Sequence, residues 1–70
     1  MRKREFIAKN IRECILHTKK SFCQIGREMG LSESTVRGYE TGRNMPSLTT
    51  LIRLCKVLDC TYEDILGKPE

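Results

Sequence analysis

Residues 21–42, SFCQIGREMGLSESTVRGYETG, decide the fold, because they predict two helices joined by a short turn. Ser21 and Ser32 are residue types that favour the position just before a helix, where a side-chain oxygen binds a free backbone amide. Gly30 lies between them, and glycine is the usual residue where a helix ends in the left-handed conformation. The stretch therefore predicts a helix, a tight turn and a second helix.

The first helix of the pair, predicted over 21–29, has a clear apolar face. Ser21 and Gln24 fit a capping box, in which each side chain bonds a free amide of the first turn. The inward positions recur at helical spacing: Phe22, Ile25, Gly26 and Met29. Because Gly26 lacks a side chain, we expect it where the two helices cross most closely.

The second helix, predicted over 32–40, places only Val36 and Tyr39 inward. The outward side carries small polar and charged residues: Ser34, Arg37, Gly38 and Thr41, with Glu33 at the helix tip. A second helix that leaves one face open is typical of a helix-turn-helix, which offers that helix to the major groove of DNA. Simple solubility of the exposed face is the alternative interpretation.

The remaining patterns predict an all-α domain of five helices. The other three helices are predicted over 5–18, 47–58 and 61–66, and the whole chain, 1–70, reads as one domain with a basic amino-terminal end at 1–5. The inward positions predicted for the last two helices are Leu48, Leu51, Ile52, Cys55, Leu58, Tyr62, Ile65 and Leu66.

The charge distribution is compatible with a nucleic-acid partner. Lys and Arg number 13 against 9 Asp and Glu, which gives a net charge of +4, and seven basic residues lie in 1–20. No apolar run approaches the ~18 residues of a membrane span. The charged start leads into no apolar signal core. We therefore expect a cytoplasmic protein without a membrane partner.

The sequence offers no set of catalytic residues. It has one histidine, no Gly-rich phosphate loop and no carboxylates paired in an apolar setting, so we predict no enzyme, no cofactor and no small-molecule substrate. The four cysteines form no C-x-x-C pair and are expected to be reduced core residues rather than metal ligands. A metal or redox sensor that uses Cys14, His17 and Cys23 remains an alternative.

The chain resembles the phage-repressor, Cro-like helix-turn-helix family, also called the xenobiotic-response-element family, from about Lys9 to Leu66. The residues that carry the resemblance are SFCQIG at 21–26, MGLS at 29–32, STV at 34–36, YETG at 39–42, PSL at 46–48 and LDCT at 58–61. The resemblance implies a five-helix lambda-repressor-like fold and transcriptional regulation, most often repression. It also implies binding to an operator in double-stranded DNA as a homodimer.

Several positions depart from the usual pattern of the family. Ile15 stands where Arg is frequent, so that Glu40 loses its family partner, and Arg12 or Arg43 is expected to replace it. Phe22 stands where Gln is frequent, and Gly26 where Ala is common. Two lysines, Lys19 and Lys20, replace the usual Gly and Leu.

A first set of interface residues is predicted to read bases: Glu33, Ser34, Arg37 and Gly38. Arg37 is expected to donate a bidentate pair to guanine. Glu33 either accepts from a cytosine or complements the helix dipole. Gly38 is expected to let the backbone approach DNA closely.

A second set is predicted to contact phosphates: Lys19, Lys20, Ser21, Phe22, Thr35, Thr41 and Arg43, with Arg2, Lys3 and Arg4 adding non-specific attraction. Ile15, Leu16 and the region around the last helix are the predicted dimer contacts. The alternative function is a protein-interaction module on the same fold, such as an antirepressor or the antidote of a toxin pair.

Overall fold

The computed structural model describes residues 4–67, and this part of the chain contains five α-helices and no strand. The helices are α1 (Arg4–Thr18), α2 (Phe22–Met29), α3 (Glu33–Thr41), α4 (Leu48–Leu58) and α5 (Tyr62–Leu66). The all-α prediction is confirmed, and each predicted helix lies within about one residue of its observed bounds. Arg2 and Lys3 lie outside the described residues.

The last four helices all begin after a serine or threonine whose side chain caps them. The backbone N–H of the residue three positions on donates to the capping hydroxyl of Ser21, Ser32, Ser47 and Thr61 at 3.0–3.3 Å. These bonds satisfy amides that have no partner inside the helix. The predicted starts of α2 to α5 are therefore confirmed.

The predicted capping box at the start of α2 is wrong in its second half. Gln24 Nε2 donates to Glu28 Oε2 at 3.0 Å instead of accepting from the Ser21 amide. A reciprocal box forms at α5, where Thr61 N donates to Asp64 Oδ2 at 2.9 Å. The carboxylate of Asp64 is a strong acceptor, whereas the Gln24 side chain finds a charged acceptor one turn further along its own helix.

Each helix contributes at least one fully buried apolar side chain to a single core. The largest are Ile11, Ile25, Met29, Val36, Leu54 and Ile65. Helix α1 packs against α3, α4 and α5, while α2 packs against α3 and α4. The outward face of α3 is left without a covering helix.

Four predicted core positions in the last two helices lie at the surface instead. Leu48 is 74% exposed and Tyr62 is 51% exposed, and Ile52 and Leu66 are also exposed. The buried face of α4 is formed by Leu51, Leu54, Cys55 and Leu58, so Leu48 lies beyond the end of the core. Helix α5 has only five residues, and its one buried side chain is that of Ile65.

The two predicted dimer residues of α1 differ in exposure. Ile15 is a core residue, only 6% exposed, so the prediction that it contacts a second copy is wrong. It follows Cys14 and Ile11 along the buried face of the helix. Leu16 points away from that face and is 71% exposed.

The turn between α2 and α3 is tight. Gly30 has φ +71°, and Leu31 N donates to Gly26 O at 2.8 Å. A Cβ atom added to Gly26 would lie 2.6 Å from the Leu31 carbonyl oxygen. The missing side chain at position 26 therefore lets the turn backbone at Leu31 and Ser32 lie close against α2, and no contact with α3 itself requires a glycine there.

No helix within residues 4–67 is both long enough and apolar enough to cross a membrane.

Candidate nucleic-acid interface

The outward face of α3 is the centre of the candidate interface. Its inner side buries Val36 and Tyr39, as predicted, while Glu33, Ser34 and Arg37 are exposed on the other side. The Ser32 cap fixes the start of the helix, so these side chains project from its first two turns. The position is the one that a recognition helix presents to the major groove.

Two of the predicted base-reading residues contact each other. Arg37 Nε and Nη2 both lie 3.0 Å from Glu33 Oε2. The spacing is i and i+4, at which opposite charges on a helix surface meet, so the sequence carried a signal for this pair. The Arg37 guanidinium also lies over the Phe22 ring, with Cζ 4.3 Å from the ring centroid.

The third exposed residue, Ser34, is bonded by an arginine from the next loop. Arg43 Nη2 donates to Ser34 O at 3.0 Å and lies 3.4 Å from Ser34 Oγ. The backbone oxygen of Arg43 in turn accepts from Arg4 Nη2 at 3.5 Å. Arg43, a predicted phosphate contact, and Arg4, predicted to add non-specific attraction, therefore lie together beside the first turns of α3.

The prediction that Gly38 faces DNA is wrong, because Gly38 is buried under the loop that follows α3. Asn44 N donates to Gly38 O at 3.0 Å, and a Cβ on Gly38 would lie 2.9 Å from Asn44 Cγ. Glycine is therefore needed so that the Asn44 side chain can lie against α3. Sequence reasoning missed this role of Asn44, for which no local pattern gives a signal.

The predicted phosphate contacts at the start of α2 border one groove of about 530 Å³. Its lining includes Lys19, Lys20, Ser21, Phe22 and Arg37. Lys19 is exposed, while Ser21 caps α2 and Phe22 is half-buried. The structure thus brings the predicted phosphate contacts of α2 next to the predicted guanine reader of α3.

The Lys20 side chain forms bonds within the protein that the sequence did not predict. Its Nζ donates at 2.9 Å both to Glu28 Oε1 and to the Val57 carbonyl oxygen near the end of α4. The hydrogen bond from Lys20, followed by that from Gln24, lowers the pKa of the Glu28 carboxyl below its ordinary value of 4.5. Lys20 therefore joins α2 to α4, and any bond to phosphate uses its remaining N–H.

The two threonines of α3 bind neighbouring groups in its own turns. Thr35 Oγ1 lies 2.8 Å from Ser32 Oγ, and Thr35 is half-buried. Thr41 Oγ1 donates to Gly38 O at 3.3 Å and accepts from Arg43 N at 3.3 Å. Both hydroxyls help to shape the ends of α3.

The expected replacement partner for Glu40 is not found. Among residues 4–67, neither Arg12 nor Arg43 forms an ion pair with the Glu40 carboxylate, which borders the same groove as Arg12. The prediction is wrong because Arg43 turns toward Ser34 at the other end of α3.

The cysteines and His17 form no metal site in the described part of the chain, where no group of three potential ligands is close enough to hold an ion. Cys14 and Cys55 are buried and Cys60 is half-buried, whereas Cys23 is exposed on α2. Burial, followed by the neighbouring thiol of Cys14, raises the pKa of Cys60. Burial also raises the pKa of Cys14 and of Cys55.

Comparison with known proteins gives two matches. A family model described as helix-turn-helix matches residues 24–65. A relative, the HTH-type transcriptional regulator AnsR of Bacillus subtilis (strain 168), is 40% identical over 40 residues. This segment is 57% of the chain but only 34% of the relative, so the chain matches about a third of that protein. No solved structure matches the chain.

Proposed function

The chain belongs to the helix-turn-helix family of the phage-repressor and Cro type, and on that premise we propose that it is a sequence-specific DNA-binding regulator of transcription, a repressor that binds its operator as a homodimer. The single observation that carries the proposal is the uncovered face of α3, where Ser34 and Arg37 are exposed beside a border of basic residues. A face of this kind fits a major groove.

Arg37 is the proposed guanine reader, and Ser34 contributes a hydroxyl that accepts or donates to any base edge. Phosphate contacts are proposed for the exposed Lys19, for the backbone amides at Ser21 and Phe22, and for Thr35, Thr41, Arg43 and Lys20. The amides lie at a helix start, where the helix dipole favours an anion. Gly38 is excluded from this set by its burial.

We propose a homodimer because one module is small. The domain measures 34 × 22 × 21 Å, and one exposed helix face contacts only a few base pairs. Two copies on successive major grooves, about 34 Å apart, would read a longer site. The operator is therefore proposed to be an inverted repeat, and Leu16 with the exposed part of α5 remains the proposed contact between copies.

The proposal is tested by selecting bound sequences from random duplexes and measuring affinity by fluorescence anisotropy. We expect an inverted repeat, and we expect Arg37→Ala to cost about 1–3 kcal/mol and to relax discrimination at one base pair of each half-site. Arg53→Ala removes the same charge from the exposed side of α4 and serves as the matched control.

Two results would contradict the proposal. Absence of binding to any duplex at low salt would favour the protein-interaction module. If Arg37→Ala lowers the affinity equally for all DNA sequences, Arg37 contacts the DNA backbone and not a base.

A further inference from the structure

Phe22 lies at the first position of α2, yet it contacts the side chain that projects from α3. The ring packs against the hydrophobic core on one side. On the other side it faces the Arg37 guanidinium, whose Cζ is 4.3 Å from the ring centroid. This is the geometry of a cation–π contact, in which the negative face of the ring attracts the cation.

Glu33 fixes the same guanidinium from a second direction. Its Oε2 accepts a hydrogen bond from Arg37 Nε at 3.0 Å and lies at ion-pair distance, 3.0 Å, from Arg37 Nη2. One face and one edge of the planar group are thus occupied, while Nη1 and the second N–H of Nη2 remain available as donors. These are groups that can form parallel bonds to the O6 and N7 of guanine.

We propose that Phe22 and Glu33 form a clamp that sets the direction of the Arg37 guanidinium, so that Phe22 is a positioning residue which determines base specificity without touching a base. This inference rests on the proposed function. An arginine side chain loses considerable rotamer freedom when it binds, and a guanidinium that is already held in place loses less. In this clamp, Glu33 orients the reader and does not itself read a cytosine.

The experiment starts from the selected operator of the wild-type protein, with each base pair replaced in turn. Phe22→Leu keeps an apolar side chain against the core but removes the aromatic face, and Phe22→Tyr keeps that face. We expect Phe22→Leu to lower discrimination about two- to fivefold, because the cation–π contact is lost. The loss should occur at the base pair where Arg37→Ala also abolishes discrimination. Phe22→Tyr is expected to retain discrimination.

A double variant separates positioning from folding. In the Arg37→Ala background, Phe22→Leu is expected to have no further effect on discrimination, because the group that it positions is gone. Circular dichroism checks that each variant is folded. If Phe22→Leu does not fold, Glu33→Gln tests the same clamp from the exposed surface of α3, and it is expected to reduce discrimination at the base pair read by Arg37.

Several outcomes would overturn the clamp. For Phe22→Leu, they are an equal loss of affinity for all duplexes, a gain in affinity, or unchanged discrimination at every base pair. For Glu33→Gln, the contradicting outcome is a loss of discrimination at a different base pair from the one affected by Arg37→Ala. Each of these is seen only when the wild type binds its operator selectively, so the clamp fails while the proposed function stands. Absence of all duplex binding by the wild type would instead overturn the proposed function.

Discussion

At the scale of single residues, two non-glycine positions adopt the left-handed backbone conformation. Lys19 has φ +60° in the connection between α1 and α2, and Asp59 has φ +54° at the end of α4. An L residue with a side chain pays about 1–2 kcal/mol for this conformation, with Asp among the more tolerant types. Lys19 stands where glycine is usual in the related family. This chain therefore has a side chain at a position whose backbone conformation favours glycine.

We expect Lys19→Gly to raise the free energy of unfolding by about 0.5–1 kcal/mol, because the strain of a Cβ at positive φ exceeds the extra entropy of an unfolded glycine. Urea unfolding followed by circular dichroism measures the change. Lys19→Ala is the matched control, because it removes the same charge but keeps the Cβ. Equal stabilities of the two variants would show that the charge, and not the backbone, matters at this position.

At the scale of helices, the local patterns of the sequence predicted most of the structure. The Ser and Thr caps and Gly30 set the helix bounds because they act through bonds to residues within a few positions. The Glu33–Arg37 pair was not predicted, although its i, i+4 spacing carries a signal for it. Such features depend on sequence distance alone.

Contacts between distant segments account for what the sequence did not predict. Asn44 covers Gly38 only because the loop after α3 folds back, and Lys20 reaches Val57 across 37 positions of the chain. The contact of Phe22 with Arg37 likewise depends on the packing of α2 against α3. The sequence therefore predicted that the outward face of α3 is exposed, but it did not predict the partners of the side chains on that face.

The junction of α2 and α4 is expected to weaken in acid. The Glu28 carboxyl has a pKa below 4.5 because it accepts from Lys20 and Gln24. An unfolded chain takes up this proton at a higher pH than the folded chain, so stability rises with pH through this range and the contribution is lost as the pH falls below 4.5.

Glu28→Gln removes the titrating group, so we expect its deficit in stability relative to the wild type to be larger at pH 7 than at pH 3. Urea unfolding at the two pH values measures it. Glu63→Gln is the control, since Glu63 is an exposed carboxylate without an ion pair among residues 4–67. A deficit for Glu28→Gln that stays constant between the two pH values would argue against the ion pair with Lys20.

At the scale of the whole molecule, five short helices share one small core, and each contributes only a few side chains to it. The core has no room for every apolar residue, so some of them are exposed, among them Leu16 and Leu48. Three of the thiols lie in or beside this core: Cys14 and Cys55 are buried and Cys60 is half-buried. Only Cys23 is exposed among the four cysteines.

We expect one thiol per folded chain to react rapidly with a thiol-specific reagent, and this thiol to be Cys23. The other three are shielded, and burial raises their pKa, so that little of the reactive thiolate forms. Mass spectrometry of the peptides locates the modified residue, and all four cysteines should react in urea. Cys23→Ser should abolish the fast phase. Equal rates at the four positions would contradict the packing of the core.

The exposed position of Cys23 has a practical consequence for measuring operator recognition. Cys23 follows Phe22 directly on α2 and borders the groove that Arg37 also lines. A maleimide fluorophore would thus attach to the wild-type protein at one defined point, with no cysteine replaced. Its emission would report the arrival of a duplex at the groove that Cys23 and Arg37 both line.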